Sequence, residues 1–164
     1  MLRNLVLGVV AFLALAAGLF LLLRPDPEVA GVERPPDKGR EHVDETQIQY
    51  DSAAPTSGSH LAGAPNCGYL SDPLELGLAV HAVEHGAVIV WYQPDQEEEL
   101  ADPLRDFLSE WDSHWILSPN GSIDEPIVAT AWNRRKTFDS PGEGLREFVQ
   151  TYRQRGPEKV PCGV

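Results

Sequence analysis

The chain has 164 residues, with 13 Lys and Arg against 25 Asp and Glu, a formal net charge of -12 and a pI near 4.7. That balance excludes a nucleic-acid binder, which needs clustered cations to displace counterions from phosphates, and it excludes electrostatic adhesion to an anionic membrane surface. The acidity serves solubility.

Leu5 to Leu23 carry no charged or polar side chain. Nineteen helical residues at about 1.5 Å each span roughly 28 Å, close to the hydrocarbon thickness of a bilayer. A cleaved signal peptide normally has an apolar core of about 7–15 residues ending at a small-residue site; here "LFLLL" continues past "ALAAG" to Arg24. Residues 1–24 are therefore expected to be a retained single-pass anchor. Arg3 before the run and the acidic residues after Arg24 lean towards an inside amino terminus and an outside carboxyl terminus, so the expected location is the cell membrane with the domain outside the cytoplasm. An even pair of cysteines in an exported domain agrees with this.

Residues 25–49 read as a disordered tether, with four prolines between Arg24 and Gln49, many charges and few large apolar side chains. His42 falls here and is expected to be solvated. Residues 50–164 form the folded part, large enough for one modest core. Its helices are marked by "DPLE" at Asp72–Glu75, "DPLR" at Asp102–Arg105 and "SPGE" at Ser140–Glu143, each read as an N-cap followed by proline at the first helical position. The acidic "DQEEEL" reads as a short turn before the middle helix. Apolar stripes follow: Leu104, Phe107, Leu108 and Trp111, then Leu145, Phe148, Val149 and Tyr152. "AVIVWY" at Ala87–Tyr92 predicts a buried central strand. "HWILS", "PIVATAW" and "RKTF" are further strands, the last two pairing as a hairpin. The expected fold is a single α+β domain, a small mixed sheet packed with about three helices.

The chemistry-bearing residues concentrate in one stretch. A helix over Pro73–His85 places Leu74, Leu78, His81 and His85 on one stripe, and Gly86 ends it. Imidazoles four residues apart on a helix share a metal ion readily, and burial favours the neutral, ligating form. "HAVEH" also matches the H-x-x-E-H pattern of inverted zinc peptidases, in which the Glu, here Glu84, is the general base. The small domain and the immediate passage into a strand at Gly86 count against that class. His60, presented by the "PTSGSH" turn, is the expected third ligand, with Glu84 as a fourth ligand or as a partner orienting an imidazole. His114 ranks below His60. The only Met is Met1, so the expected cofactor is one zinc or copper ion rather than a soft thioether-bound one.

"APTSGSH", "NCGYL", "HAVEHGAVIVWY", "PIVATAW", "FVQTYRQRGPE" and "PCG" resemble the signature of a bacterial family, domain of unknown function 3105, over about Tyr50 to Gly163. The resemblance implies an exported, single-span protein and carries no agreed activity. Among the departures, Asn133 stands where the family usually has glycine; none touches His60, His81, Glu84, His85 or either cysteine.

Three readings of function stay open: a membrane-anchored metal-binding domain, an envelope interaction or scaffolding module with structural histidines, and a small zinc hydrolase. No nucleophile triad, phosphate loop or dinucleotide fingerprint is present, and a non-enzymatic role is expected, with Glu84 the one candidate for catalysis. A disulfide between Cys67 and Cys162 is expected, while protein partners are not legible.

Overall fold

The computed structural model describes residues 12–13, 15–20, 23, 27–63 and 65–161. Residues 12–13 and 15–20 are helical, and Phe12, Leu13, Leu15, Leu19, Phe20 and Leu23 are exposed. No described helix is long and apolar enough to cross a membrane, and the rest of the expected anchor lies outside the described residues.

The domain is α+β. Five strands form one mixed sheet: β1 (Gly68–Tyr69), β2 (Val88–Tyr92), β3 (Trp115–Pro119), β4 (Ile127–Ala131) and β5 (Arg134–Phe138), in the order β1-β3-β2-β4-β5. β3 runs parallel to both β1 and β2, while β4 is antiparallel to β2 and to β5. Strand β2 is buried along its whole length, as its β-branched and aromatic composition predicts. Alternation sends Val88, Val90 and Tyr92 to one face of the sheet and Ile89 and Trp91 to the other.

Each face carries helices. The first packs against α2 (Glu97–Leu108) through Leu100, Leu104 and Leu108, and against α3 (Glu143–Tyr152) through Leu145, Phe148, Val149 and Tyr152. The predicted stripe of the last helix is thus buried as a unit. The second face packs against α1 (Leu76–Glu84) through Ala79, Ala82 and Val83. β4 and β5 form the expected hairpin, with Ala131 opposite Arg134. Its turn residue Asn133 has φ 53, a left-handed conformation that Asn tolerates better than most side chains.

The helix starts differ from expectation. α1 begins at Leu76, with Glu75 at its N-cap and no side-chain cap. The Leu74 amide donates to Ser118 Oγ at 2.9 Å, and Ser118 Oγ donates to the Asp72 carbonyl at 3.5 Å. Residues 72–74 are thereby tied to the end of β3 and do not wind into the helix. α2 begins five residues before Asp102, so "EEEL" is its first turn and Pro103 lies inside it. Glu98 and Glu99 sit where the helix dipole favours anions, and the buried stripe starts at Leu100. α3 begins at Glu143 after Gly142, not from a Ser140 cap.

Residues 27–49, read above as a tether, lie against the domain. Val29 is buried and its amide donates to Tyr152 Oη at 3.1 Å. Glu33 bridges to Arg135 through backbone and side chain, Lys136 Nζ donates to the Ala30 carbonyl, and Asn133 Nδ2 donates to Asp37. The acidic residues that made the stretch look solvated meet the basic edge strand "RRK". Cys67 is not a free thiol; Cys162, its expected partner, lies outside the described residues.

Candidate metal centre

Three chain segments converge beneath the carboxyl-terminal half of α1. The first carries His42, just before a 3-10 turn at Glu45–Gln47. The second is the "PTSGSH" turn carrying His60. They pair in parallel as an isolated bridge, with the Val43 amide donating to the His60 carbonyl and the His60 amide donating to the Glu41 carbonyl, both at 2.9 Å. Tyr50 Oη braces the turn by donating to the Ser59 carbonyl at 2.7 Å. The third segment is α1, which contributes His81 and Glu84.

The His42, His60 and His81 ring centroids lie 4.9 to 5.2 Å apart. One ligand atom from each of these rings and one from Glu84 all fall within 4.8 Å of one another. His60, His81 and Glu84 are buried, whereas the His42 side chain is 48% exposed and forms the solvent side. His42, expected to be a solvated tether residue, is therefore a member of the cluster.

The tautomers follow from the neighbours. His60 Nδ1 is 2.8 Å from the Gly58 carbonyl, and His81 Nδ1 is 2.8 Å from the Leu61 carbonyl. A carbonyl only accepts, so both Nδ1 atoms carry the hydrogen, and in the neutral rings both Nε2 atoms present a lone pair. His60 Nε2 is 3.0 Å from Glu84 Oε2, and His42 Nε2 is 3.8 Å from the same oxygen. The 3.0 Å contact lacks hydrogen-bond geometry, and neither buried atom has a hydrogen-bond partner among the described residues. Two bare acceptors held at that distance in a buried site are costly unless a cation or a proton stands between them. Backbone carbonyls that fix the second imidazole nitrogen are also the usual supports of metal-ligating histidines.

Burial, and secondarily the neighbouring His85, lower the His81 pKa from its ordinary 6.5. In metal-free protein the unfolded chain then takes up its proton first as the pH falls. Stability from this group is present above about pH 6.5 and is lost as the pH drops from there towards the lowered folded value. Urea midpoints of chelator-treated protein should fall between pH 7.5 and 5.5, and His81→Gln should flatten that slope.

His85 does not join the ring. It is the C-cap of α1, and its Nε2 lies 3.6 Å from Glu158 Oε2. Its ring is 4.3 Å from that of His81, so the spacing of four does bring the imidazoles together, but His85 groups with Glu84 and Glu158 rather than with the other three histidine and glutamate ligand atoms. The helix contributes His81 with Glu84, three residues apart, instead. Glu84, His85 and Glu158 form a second, more open group, into which Arg40 Nη1 reaches at 3.9 Å from Glu84 and 3.8 Å from Glu158. His114 belongs to neither group, and its Nε2 is 3.2 Å from the Val160 carbonyl.

Glu84 is held from behind by the chain after α3. The Gln154 amide donates to the Gly86 carbonyl at 2.7 Å and the Glu158 amide to the Glu84 carbonyl at 3.1 Å. The four converging residues are all neutral or acidic acceptors, a donor set of three imidazole nitrogens and one carboxylate oxygen that fits a borderline transition metal.

No match was found among curated proteins or among solved structures. The profile of the family described as protein of unknown function (DUF3105) matches residues 42–163, a span that opens at His42 and holds all four converging side chains, and the chain belongs to that family.

Proposed function

We propose that this protein is a transition-metal-binding domain, holding one zinc or copper ion through His42, His60, His81 and Glu84. The observation that carries the reading is the pair of buried polar atoms, His60 Nε2 and Glu84 Oε2, 3.0 Å apart and each without a hydrogen-bond partner among the described residues. Four protein ligands complete a tetrahedral zinc shell and leave no open position, which favours binding over water activation. Glu84 is then a ligand rather than a base, and the hydrolase analogy of "HAVEH" loses its residue assignments.

The test is metal analysis of the full chain purified without an affinity His-tag. One equivalent of zinc or copper is expected. His42→Ala and Glu84→Gln should each weaken binding by at least about tenfold, the low end of what even supporting residues contribute, while His85→Ala retains the ion. Metal-free protein that binds neither ion, or a protein whose binding depends on His85 and not His42, defeats the assignment.

The placement is likewise proposed: an apolar run at residues 5–23 anchoring the chain in the cell membrane, the domain outside the cytoplasm, and a Cys67–Cys162 disulfide. Such a bond closes a loop of about 95 residues, for which chain entropy gives about 4–5 kcal/mol as an upper figure. The unreduced full chain should show no thiol reactive to alkylation; two reactive thiols in protein made in an oxidising compartment overturn both the bond and the argument for export.

A further inference from the structure

Glu84 belongs to two groups of ligand atoms. One of its oxygens closes with His42, His60 and His81, and one closes with His85 and Glu158, each set lying within 4.8 Å. The two oxygens have different neighbours. Oε2 meets the histidines, 3.0 Å from His60 Nε2 and 3.8 Å from His42 Nε2. Oε1 meets the Arg40 guanidinium, whose Nη1 lies 3.9 Å from it and 3.8 Å from Glu158 Oε1.

The second group is held in place by the backbone. His85 caps α1, and Glu158 is fixed to the same helix end because its amide donates to the Glu84 carbonyl at 3.1 Å. Glu158 Oε2 is then 3.6 Å from His85 Nε2. Between the two groups stands the Glu84 side chain, 2% exposed, its Oε2 without a hydrogen-bond partner among the described residues. A carboxylate so buried needs positive charge close by. An ion in the ring answers Oε2. Oε1 is faced by Arg40 at a distance beyond hydrogen-bond reach.

Arg40 is a loose occupant. Its chain neighbours are pinned, since the Gly39 carbonyl accepts from the Gly58 amide and the Glu41 carbonyl from the His60 amide, each at 2.9 Å. Its side chain is nevertheless 55% exposed. The guanidinium marks a place between two carboxylates where positive charge is favoured, and it can swing into solvent without moving the segment that carries His42.

From these observations we infer that Glu84 is a bridging carboxylate and that a second divalent transition-metal ion binds through Glu84, His85 and Glu158, displacing the Arg40 side chain. One imidazole and two carboxylates suit zinc, and three protein ligands leave room for water. The second ion meets the charge of the first and must displace a cation, so it is the weaker of the two and fills only with metal in excess. The inference rests on the metal reading of the ring.

The test titrates the chelator-treated full chain, free of any affinity His-tag, with zinc alone and reads the heat of binding. Two steps are expected. His85→Ala and Glu158→Gln should each weaken the second by at least about tenfold and leave the first unchanged. The Glu158 side chain is 42% exposed, so its variant tests the site even if His85→Ala disturbs the helix end. Glu84→Gln should weaken both steps, as a bridge requires. Arg40→Gln should strengthen the second step about fivefold, the worth of one unit-charge pair about 4 Å apart in water. Glu147→Gln, at an exposed position elsewhere, should change neither. A single step, lost in His42→Ala and kept in His85→Ala, overturns the second ion and leaves the ring standing. A step that depends on His85 and Glu158, with none that depends on His42, overturns the ring and the bridge together. A second step indifferent to both His85→Ala and Glu158→Gln is adventitious zinc on an acidic surface and overturns the inference.

Discussion

With the proposed ion bound, stripping it from the full chain should lower the thermal midpoint by about 10–20 °C. An ion that binds only the folded state adds RT ln(1 + [L]/Kd), about 4 kcal/mol when it is present at a thousand times its Kd. For a domain of this size, each kcal/mol moves the midpoint by a few degrees. Excess chelator followed by re-addition of zinc should take the midpoint down and back. His60→Ala should start low and ignore chelator, because it removes the most buried of the imidazoles and with it the ion. The comparison separates the metal-binding domain from a module whose histidines are merely structural. In the second case wild type is insensitive to chelator, and His60→Ala loses only packing and the hydrogen bond to Gly58.

The site was partly legible because its strongest signal is local. A helix repeats its faces over three and four residues, so "HAVEH" announces a cluster, and burial of His81 and Glu84 follows from the apolar residues around them. Which four-residue subset forms the ring was not legible. His81, Glu84 and His85 project over about 100° of arc at 100° per residue, and the segments that approach the helix select the side facing them. His60 was recovered because a Ser-Gly turn holds it rigidly. His42 was missed because its neighbours are charged and proline-rich, which locally resembles a solvated linker. The signal that could have found it is pairing: Glu33 and Asp37, upstream of His42, are complemented by Arg135 and Asn133 about a hundred residues later, and composition read in short windows cannot register a match at that separation.

The fold was legible for the same reason and failed at the same kind of place. The strand "VIVWY" is buried on both faces and belongs at the centre of any sheet, and the α3 stripe packs as its periodicity demands. The Asp-Pro and Ser-Pro devices misplace the helix starts because capping propensity is worth about 1 kcal/mol. At α1 the competing bond from the Leu74 amide to buried Ser118 Oγ outweighs it. At α2 the first helical turn extends upstream to bury Leu100 and Ala101. Local preference decides where no tertiary contact competes for the same backbone groups.

The second large effect is expected at Gly156, far in sequence from the ring. Gly156 lies directly on the end of α1, where a Cβ would fall on the Glu84 carbonyl and the Gly86 amide. Gly86 faces it with φ +91, a left-handed value that ends the helix and is natural only for glycine. Because the obstructing atoms are backbone rather than a flexible side chain, Gly156→Ala cannot be relieved by a rotamer change. The segment must lift and surrender the Gln154–Gly86 and Glu158–Glu84 hydrogen bonds, each worth about 1 kcal/mol, with overpacking strain of about 1–3 kcal/mol added. The expected loss is about 3–5 kcal/mol, and since Glu84 is displaced through its own carbonyl, metal affinity should fall by about 10–100-fold, as for other residues that orient a ligand. Gly144→Ala is the control: it lies in α3, its added Cβ meets only the Phe138 ring at 3.5 Å, and a helical Gly-to-Ala change is neutral or stabilising by up to about 1 kcal/mol. Denaturation and zinc titration of both variants decide the point. Wild-type stability and affinity in Gly156→Ala would mean that the segment after α3 merely rests on the helix end and does not fix the carboxylate of the metal site.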